Sequence, residues 1–330
     1  MSPSVVSYVI NNTRTVAPKT RKKILSAMQE MDYHPSALAR GLSRKKMNLV
    51  GVIFSRMFST PLTNPFFGPI LDEIVATGMD LHQSTAFFTW PTWEEIEANH
   101  TVYCDGRVDG LILIAPDLDS NIISTLRRRG MRFVIVAQTA RNEGVTSIDI
   151  DNSGAARTAT NHLLALGHRR IAMVSGDTWA AGMHARIDGF RQALGEAGIP
   201  FDEDLVYEVS CSVKTVPDTL AKLLHLPVDK QPTAIFFGND ELALAGIAHL
   251  QHLGLRVPED ISVIGFDDIA AAATSNPPLT TIRQPLSMFG EMAVTSLLSL
   301  LDDSIAVKST GAVLEAEFKI RQSTGPVKRC

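Results

Sequence analysis

The sequence predicts a small basic helical head joined to an α/β core of two lobes built on parallel sheets. Three observations carry that expectation. Short apolar runs rich in β-branched residues alternate with helix-length segments over most of the chain, the pattern of parallel strands covered by helices on both faces. With 330 residues, 45% of them hydrophobic, the chain exceeds one ordinary domain and can bury a large core. The charge is lopsided: residues 1–48 hold nine Lys and Arg against Glu30 and Asp32, whereas the whole chain carries −4. A basic head on an acidic body points to a polyanionic partner for the head, because cationic side chains that neutralise phosphates release counterions. A solubilising charged tail is the alternative reading.

The head opens on MSPSVVSYVINN. Ser2 suits an N-cap and Pro3 the first helical position, where its missing N–H would have no intrahelical partner anyway. Val5, Val6, Val9 and Ile10 then share one face and need another element to cover them. NNTRTV reads as a loop, and Pro18 starts a second amphipathic stretch with Ile24, Met28 and Met31 on its apolar side. DYHP ends it, because proline disfavours helix in the residue before it. SALARGLSRKK has Leu38 and Leu42 at helical spacing but is short, below the ~12 residues an isolated helix needs.

From Leu49 the strand candidates are LVGVIF, STAFFTW, DGLILIA, RFVIVAQ, IAMVSG, TAIFFGND and ISVIGFDD. Helices are expected over about 69–81, 92–104, 154–166, 185–197, 242–253 and 287–301. This is more than one comfortable sheet needs, so two similar lobes are expected, with a ligand cleft beyond the carboxyl ends of the strands.

Several classes are excluded. The longest apolar runs fall short of the ~20 residues that span a bilayer, so no membrane partner is expected. No signal peptide is legible, and Cys104, Cys211 and Cys330 show neither pairing nor zinc spacing, which together suggest the cytoplasm. No GxSxG, HExxH or P-loop is present, and His249 and His252 share a helix face without further ligands. Neither an enzyme nor a metal or other cofactor is expected. The adjacent Asp267 and Asp268 do not by their spacing face each other across a substrate.

The motifs resemble the lactose-repressor-type (LacI/GalR) family of bacterial transcriptional regulators. The head VSYVINNTRTVAPKTRKKILSAMQEMDYHPSALARGL is similar to its DNA-binding head and hinge. NPFF at Asn64, VDGLIL at Val108, LLALGHRRIAMVSG at Leu163, RIDGF at Arg186, FFGNDELALAGI at Phe236, VPEDISVIGFDD at Val257 and PPLTTIRQP at Pro277 follow in family order. The resemblance implies a partial helix-turn-helix over residues 1–35 and a hinge helix and linker over 36–48. It implies a core like periplasmic binding proteins over 49–330, lobe 1 taking about 49–149 and 281–309 and lobe 2 about 150–280 and 310–330. The opening helix matches the second helix of the motif, so the first is expected upstream of Met1, through a start placed too late. A true truncation is the alternative, leaving a cytoplasmic sugar-binding protein with a non-functional head.

By the same resemblance the protein is a repressor that binds a pseudo-palindromic operator as a homodimer and senses a small, sugar-like effector. The resemblance places Ser4, Tyr8 and Arg14 against base edges and Tyr33 against phosphates. Leu42 is implied to wedge into the minor groove, against a plainer reading as the inward face of a linker helix. It implies effector binding by Phe66, Phe67, Gln138, Arg186, Asn239, Asp240, Asp267 and Gln284. Their chemistry suits a polar ring: aromatic faces, charge-assisted hydrogen bonds and two-way amides. The phenylalanines could equally be core, Asp267 could serve a turn, and Asp240 could cap the helix beginning near Glu241. Gln138 stands where many members carry an aspartate, and Cys211 near a position that stacks an aromatic in some. Both departures leave the effector's identity open.

Overall fold

In the computed structural model, the described residues are 2–11, 14–33, 46–55, 62–139, 144–176, 180–209, 213–302 and 311–328. The expected hinge helix, with Leu42, and Cys211 lie outside them.

Two helices form the head. Helix α1 runs Pro3–Asn11 and α2 Pro18–Glu30, each beginning at its proline. They bury Val9 and Ile24, which are 3% and 4% exposed, and leave most of the basic side chains of α2 in solvent. The apolar stripe of α1 thus finds partial cover from α2, with Val5, Val6 and Ile10 half-buried.

The core holds two parallel sheets. The first has the order β11-β5-β4-β3-β1-β2, from β1 (Leu49–Ser55), β2 (Ser84–Trp90), β3 (Gly110–Ile114), β4 (Phe133–Val136), β5 (Thr146–Ile150) and β11 (Ala312–Leu314). Helices α3 (Phe67–Asp80), α4 (Trp93–Ala98), α5 (Ile122–Arg128) and α11 (Leu286–Leu301) pack on it. The incoming linker is seated on this lobe by Asp109, whose carboxylate accepts the Met47 N–H at 2.7 Å and the Leu49 N–H at 3.3 Å.

The second sheet has the order β7-β6-β8-β9, from β6 (Ile171–Ser175), β7 (Val206–Glu208), β8 (Ala234–Phe237) and β9 (Ser262–Ile264). Around it lie α6 (Asn152–Ala165), α7 (Ala181–Glu196), α8 (Val216–Leu224), α9 (Asp240–His252) and α10 (Ala270–Thr274). An antiparallel pair, β10 (Thr281–Arg283) with β12 (Glu317–Lys319), sits beside β9 through bridges from Ile264 to Thr280 and Asp267 to Arg283. One apolar cluster runs from Val52 and Ile112 of the first sheet to Met173 and Phe236 of the second.

The chain passes between the lobes after Ile150, after Gln284 and between β11 and β12. Here the structure corrects the expected boundaries. Residues 281–283 pair beside the second sheet, whereas 312–314 extend β5 of the first. Strands of three residues carry too little pattern for the sequence to assign them to a lobe. The helix expected over 92–104 stops at Ala98, where the Asn99 side chain bonds back to the Glu95 carbonyl at 2.8 Å, and a short 3-10 turn follows.

Two motif residues explain local packing. His168 is buried and bonds to Thr233 Oγ1, Ser262 Oγ and the Gly325 carbonyl at 2.9, 3.1 and 3.0 Å, knitting the second sheet to the C-terminal segment. Gly189 lets α7 lie against α6: a Cβ there would stand 2.1 Å from the Ser153 carbonyl oxygen, a backbone atom that cannot swing away. Gly189→Ala is therefore expected to lower stability by about 1–3 kcal/mol, read as a shift of the denaturation midpoint.

Candidate functional site

Most of the expected effector residues follow the carboxyl ends of strands, and Arg186, Asp267 and Gln284 are joined directly. Phe66 and Phe67 follow β1, Gln138 follows β4, Asn239 follows β8, Asp267 follows β9 and Gln284 follows β10, while Arg186 reaches in from α7. Two sharp turns aim them. Ala137, just before Gln138, has φ 57°, and Asp267 has φ 121°, left-handed values that cost a non-glycine residue of order 1–3 kcal/mol and concentrate at functional sites.

Arg186 is the centre of the cluster. Its Nε donates to Asn152 Oδ1 at 3.0 Å, an Nη1 proton goes to the Gly238 carbonyl, and Nη2 lies 3.7 Å from Asp267 Oδ1. The guanidinium carbon sits 3.6 Å from the centroid of the Phe266 ring. Both charged side chains are over nine-tenths buried, so the pair is weakly screened and each depends on the other. Asp267 is completed by Gln284, whose Nε2 donates to Oδ1 at 2.7 Å. Burial still holds the Asp267 carboxyl well above the usual range, against the pull of Arg186 and Gln284.

The two aspartates of the IGFDD turn diverge. Asp268 accepts from Arg283 Nε and Arg321 Nη2, both at 2.6 Å. Asp240 is fully buried and accepts from the Ile269 N–H at 2.9 Å and the Thr281 hydroxyl at 2.6 Å. Its approach requires Gly265, where a Cβ would fall 2.2 Å from the Asp240 Oδ1. The α9 cap is Asn239, whose Oδ1 accepts from the Leu242 N–H at 2.8 Å, so the capping role considered for Asp240 belongs to its neighbour. Burial, reinforced by the negative charge of Asp267, pushes the Asp240 carboxyl up to about 8.

Those raised carboxyls set a pH dependence. The folded chain holds protons that an unfolded aspartate releases near pH 4. The stabilisation is full below that value and is lost as pH rises toward about 8. Thermal melts from pH 5 to 9 should show this decline. Asp240→Asn, which mimics the neutral side chain, keeps an acceptor for the Ile269 N–H and turns its amide to donate to the Thr281 Oγ1, and should flatten it.

Phe66 and Phe67 meet edge to face, their centroids 4.9 Å apart. Phe67 belongs to the core of the first lobe, and Phe66 packs partly buried against it. Gln138 is 4% exposed, and its Oε1 has no hydrogen-bond partner among the described residues. Residues the sequence reading passed over complete the cluster. Asp149 accepts from Thr139 Oγ1 at 3.2 Å and Asn152 Nδ2 at 3.1 Å, so Asn152 carries a continuous chain of bonds from β5 to Arg186. Asn64 Nδ2 donates to Glu241 Oε2 at 3.1 Å, joining the segment before α3 to the first turn of α9. Among the described residues no group of His, Cys, Asp and Glu is arranged to hold a metal ion.

In the head, Ser4 is exposed, and Arg14 lies over the Tyr8 ring at 5.0 Å from its centroid. Tyr33, 52% exposed, sits just past the end of α2.

Comparison with known proteins agrees with both parts. Residues 1–36 match the family described as bacterial regulatory proteins, lacI family, and residues 160–324 match the periplasmic binding protein-like domain. The chain is 34% identical over 307 residues to the HTH-type transcriptional repressor PurR of Aliivibrio fischeri (strain MJ11), covering 92% of this chain and 89% of that protein. Its fold is similar to the lac repressor dimer bound to operator and the anti-inducer ONPF, with a TM-score of 0.84 and 27% identity over 98% of this chain and 96% of that one. It is also similar to the transcriptional regulator CelR in its cellobiose complex, with a TM-score of 0.77 and 28% identity over 96% and 94% of the two chains.

Proposed function

Because the chain belongs to the lacI family of bacterial regulatory proteins, we propose that it is a ligand-responsive transcriptional repressor. A dimer binds a pseudo-palindromic operator through its basic heads, and a small polar, sugar-like effector in the cleft sets how tightly it does so. The observation that carries this reading is the buried Arg186, held between the Phe266 ring and Asp267 at the strand ends, in the same chain as a basic helical head. Relatives bound to operator DNA, to an anti-inducer and to cellobiose support the same pairing of partners.

In this reading residues 1–35 read DNA, 36–48 form the hinge and 49–330 sense the effector. Ser4, Tyr8 and Arg14 address base edges, and Tyr33 a phosphate; a stacked Arg14 is pre-oriented for a bidentate contact to guanine. Leu42 enters the minor groove. Arg186, Asp267 and Gln284 grip the polar edge of the effector, Asn239 and Gln138 add amide contacts, and Phe66 with Phe67 form the apolar wall. Asp240 holds the floor rigid. The chain acts by binding rather than catalysis, in the cytoplasm.

Effector binding shifts the arrangement of the lobes and with it the spacing of the hinges in the dimer. It does so only through its differential affinity for the two states, commonly ~1–3 kcal/mol, or about five- to 150-fold in operator affinity. The test pairs two measurements. A panel of unmodified pentoses, hexoses, disaccharides and purine bases is screened by thermal shift. Any stabilising compound is then added to a fluorescence anisotropy titration on promoter DNA. A compound that stabilises the protein and shifts operator affinity supports the reading, and one that is chemically converted contradicts it.

A further inference from the structure

Asn64 uses both ends of its side-chain amide. The Oδ1 accepts the N–H groups of Phe66 at 3.0 Å and Phe67 at 2.9 Å, which fixes the side chain against the start of α3. With the oxygen turned to its own lobe, the Nδ2 faces the other one and donates to Glu241 Oε2 at 3.1 Å, across 177 positions of sequence. Glu241 stands in the first turn of α9, immediately after Asn239 and Asp240. Its carboxyl is half-buried, and burial raises its proton affinity while the bond from Asn64 lowers it. The contact therefore bridges the lobes beside the phenylalanines on one side and the asparagine cap on the other.

We propose that Asn64 and Glu241 form a catch that holds the lobes closed over the cleft. The catch is set by the helix cap: Asn64 cannot rotate to release Glu241 without also giving up the two amides at the start of α3. A hydrogen bond from a neutral amide to a carboxylate in a half-buried setting is stronger than one in water, and its loss moves the balance toward the open arrangement by about tenfold or more. The consequence for operator affinity rests on the repressor reading, but the catch itself is a property of the core.

Asn64→Asp separates the two functions of the side chain. The new carboxylate still caps α3, since aspartate is as good a cap as asparagine. It has no proton to donate and it faces the Glu241 carboxylate, so the lobes should part. Adding Glu241→Gln restores a donor on the opposite side and should close them again. Small-angle X-ray scattering of the purified full chain, without DNA or sugar, reads the outcome, with far-UV circular dichroism to check folding. The radius of gyration is expected to rise in Asn64→Asp, to rise also in Glu241→Ala, which leaves the α3 cap untouched, and to return to the parent value in the double variant.

Scattering unchanged in either single variant overturns the catch. So does a double variant as expanded as Asn64→Asp, because that result assigns the change to the cap rather than to the bridge. Failure of the repressor reading would show separately, as absent specific DNA binding in the parent chain with the scattering pattern intact.

Discussion

Arg186→Met is expected to abolish the effector response, lowering affinity for whichever compound stabilises the parent chain by about a hundredfold or more, as expected for losing charged hydrogen bonds of ~1.5–3 kcal/mol each. The cost has two parts. The substitution removes the fork that addresses the ligand, and it strands Asp267, whose carboxylate is left buried beside Asp240. Breaking a buried pair from one side costs about 3–5 kcal/mol. Asp267 escapes part of that penalty by taking up a proton, since burial already raises its proton affinity. The folded variant should therefore be less stable but recover part of the loss at mildly acidic pH. Arg186→Lys separates charge from geometry: it keeps the ion pair but cannot reach Asn152, Gly238 and Asp267 together. Isothermal titration on both variants checks the account. If Met binds within a few-fold of the parent, Arg186 is a framework residue only.

Leu42→Ala is expected to weaken specific operator binding by about a hundredfold, the scale of the few kcal/mol that a wedge recovers by bending DNA around more protein surface. Binding to random DNA should change little, because that mode depends on phosphate contacts by the basic head. Leu42 lies outside the described residues, so its role rests on the family's hinge. Arg14→Ala provides the contrast within the described head. Loss of one bidentate base contact costs about 1–3 kcal/mol and relaxes the preference at a single base pair, with the salt dependence nearly intact. Loss of a phosphate contact would instead lower affinity for all sequences alike and reduce the salt slope. Equal losses on specific and random DNA in Leu42→Ala would remove the wedge from the account.

The strands most legible in the sequence are those whose residues are apolar throughout. Apart from the half-buried Leu49, the residues of LVGVIF, GLILI, FVIV, IAMVS and AIFF lie buried in the two sheets. The strand TSIDI is equally buried, yet Thr146, Ser147 and Asp149 break its apolar run, so its sequence carries no strand signal. Asp149 tolerates that position because Thr139, Asn152 and the Ile150 N–H satisfy it, a fact that depends on tertiary contacts. The helix α5 was too short to register a period.

The site divides in the same way. Arg186, Asn239, Asp267 and Gln284 stood inside motifs and could be picked out by type. Asn64 also stood inside a motif, NPFF, but its function depends on Glu241, far away in the chain, and nothing in the local pattern signals the pairing. Asn152 is similar, since it is defined by lying between Asp149 and Arg186. The divergence of Asp267 and Asp268 also needed the fold, because only there do Arg283 and Arg321 claim one carboxylate and Arg186 and Gln284 the other.

The most direct test of a DNA-binding, effector-controlled regulator is a competition by fluorescence anisotropy, in which the purified chain is titrated onto labelled DNA from its own promoter region at moderate salt against unlabelled random duplex. The account predicts a promoter fragment preferred by about a thousandfold or more over random DNA, with that preference altered by the compound that stabilises the cleft. Equal affinities for both duplexes, collapsing together as salt rises and indifferent to any cleft ligand, would contradict it.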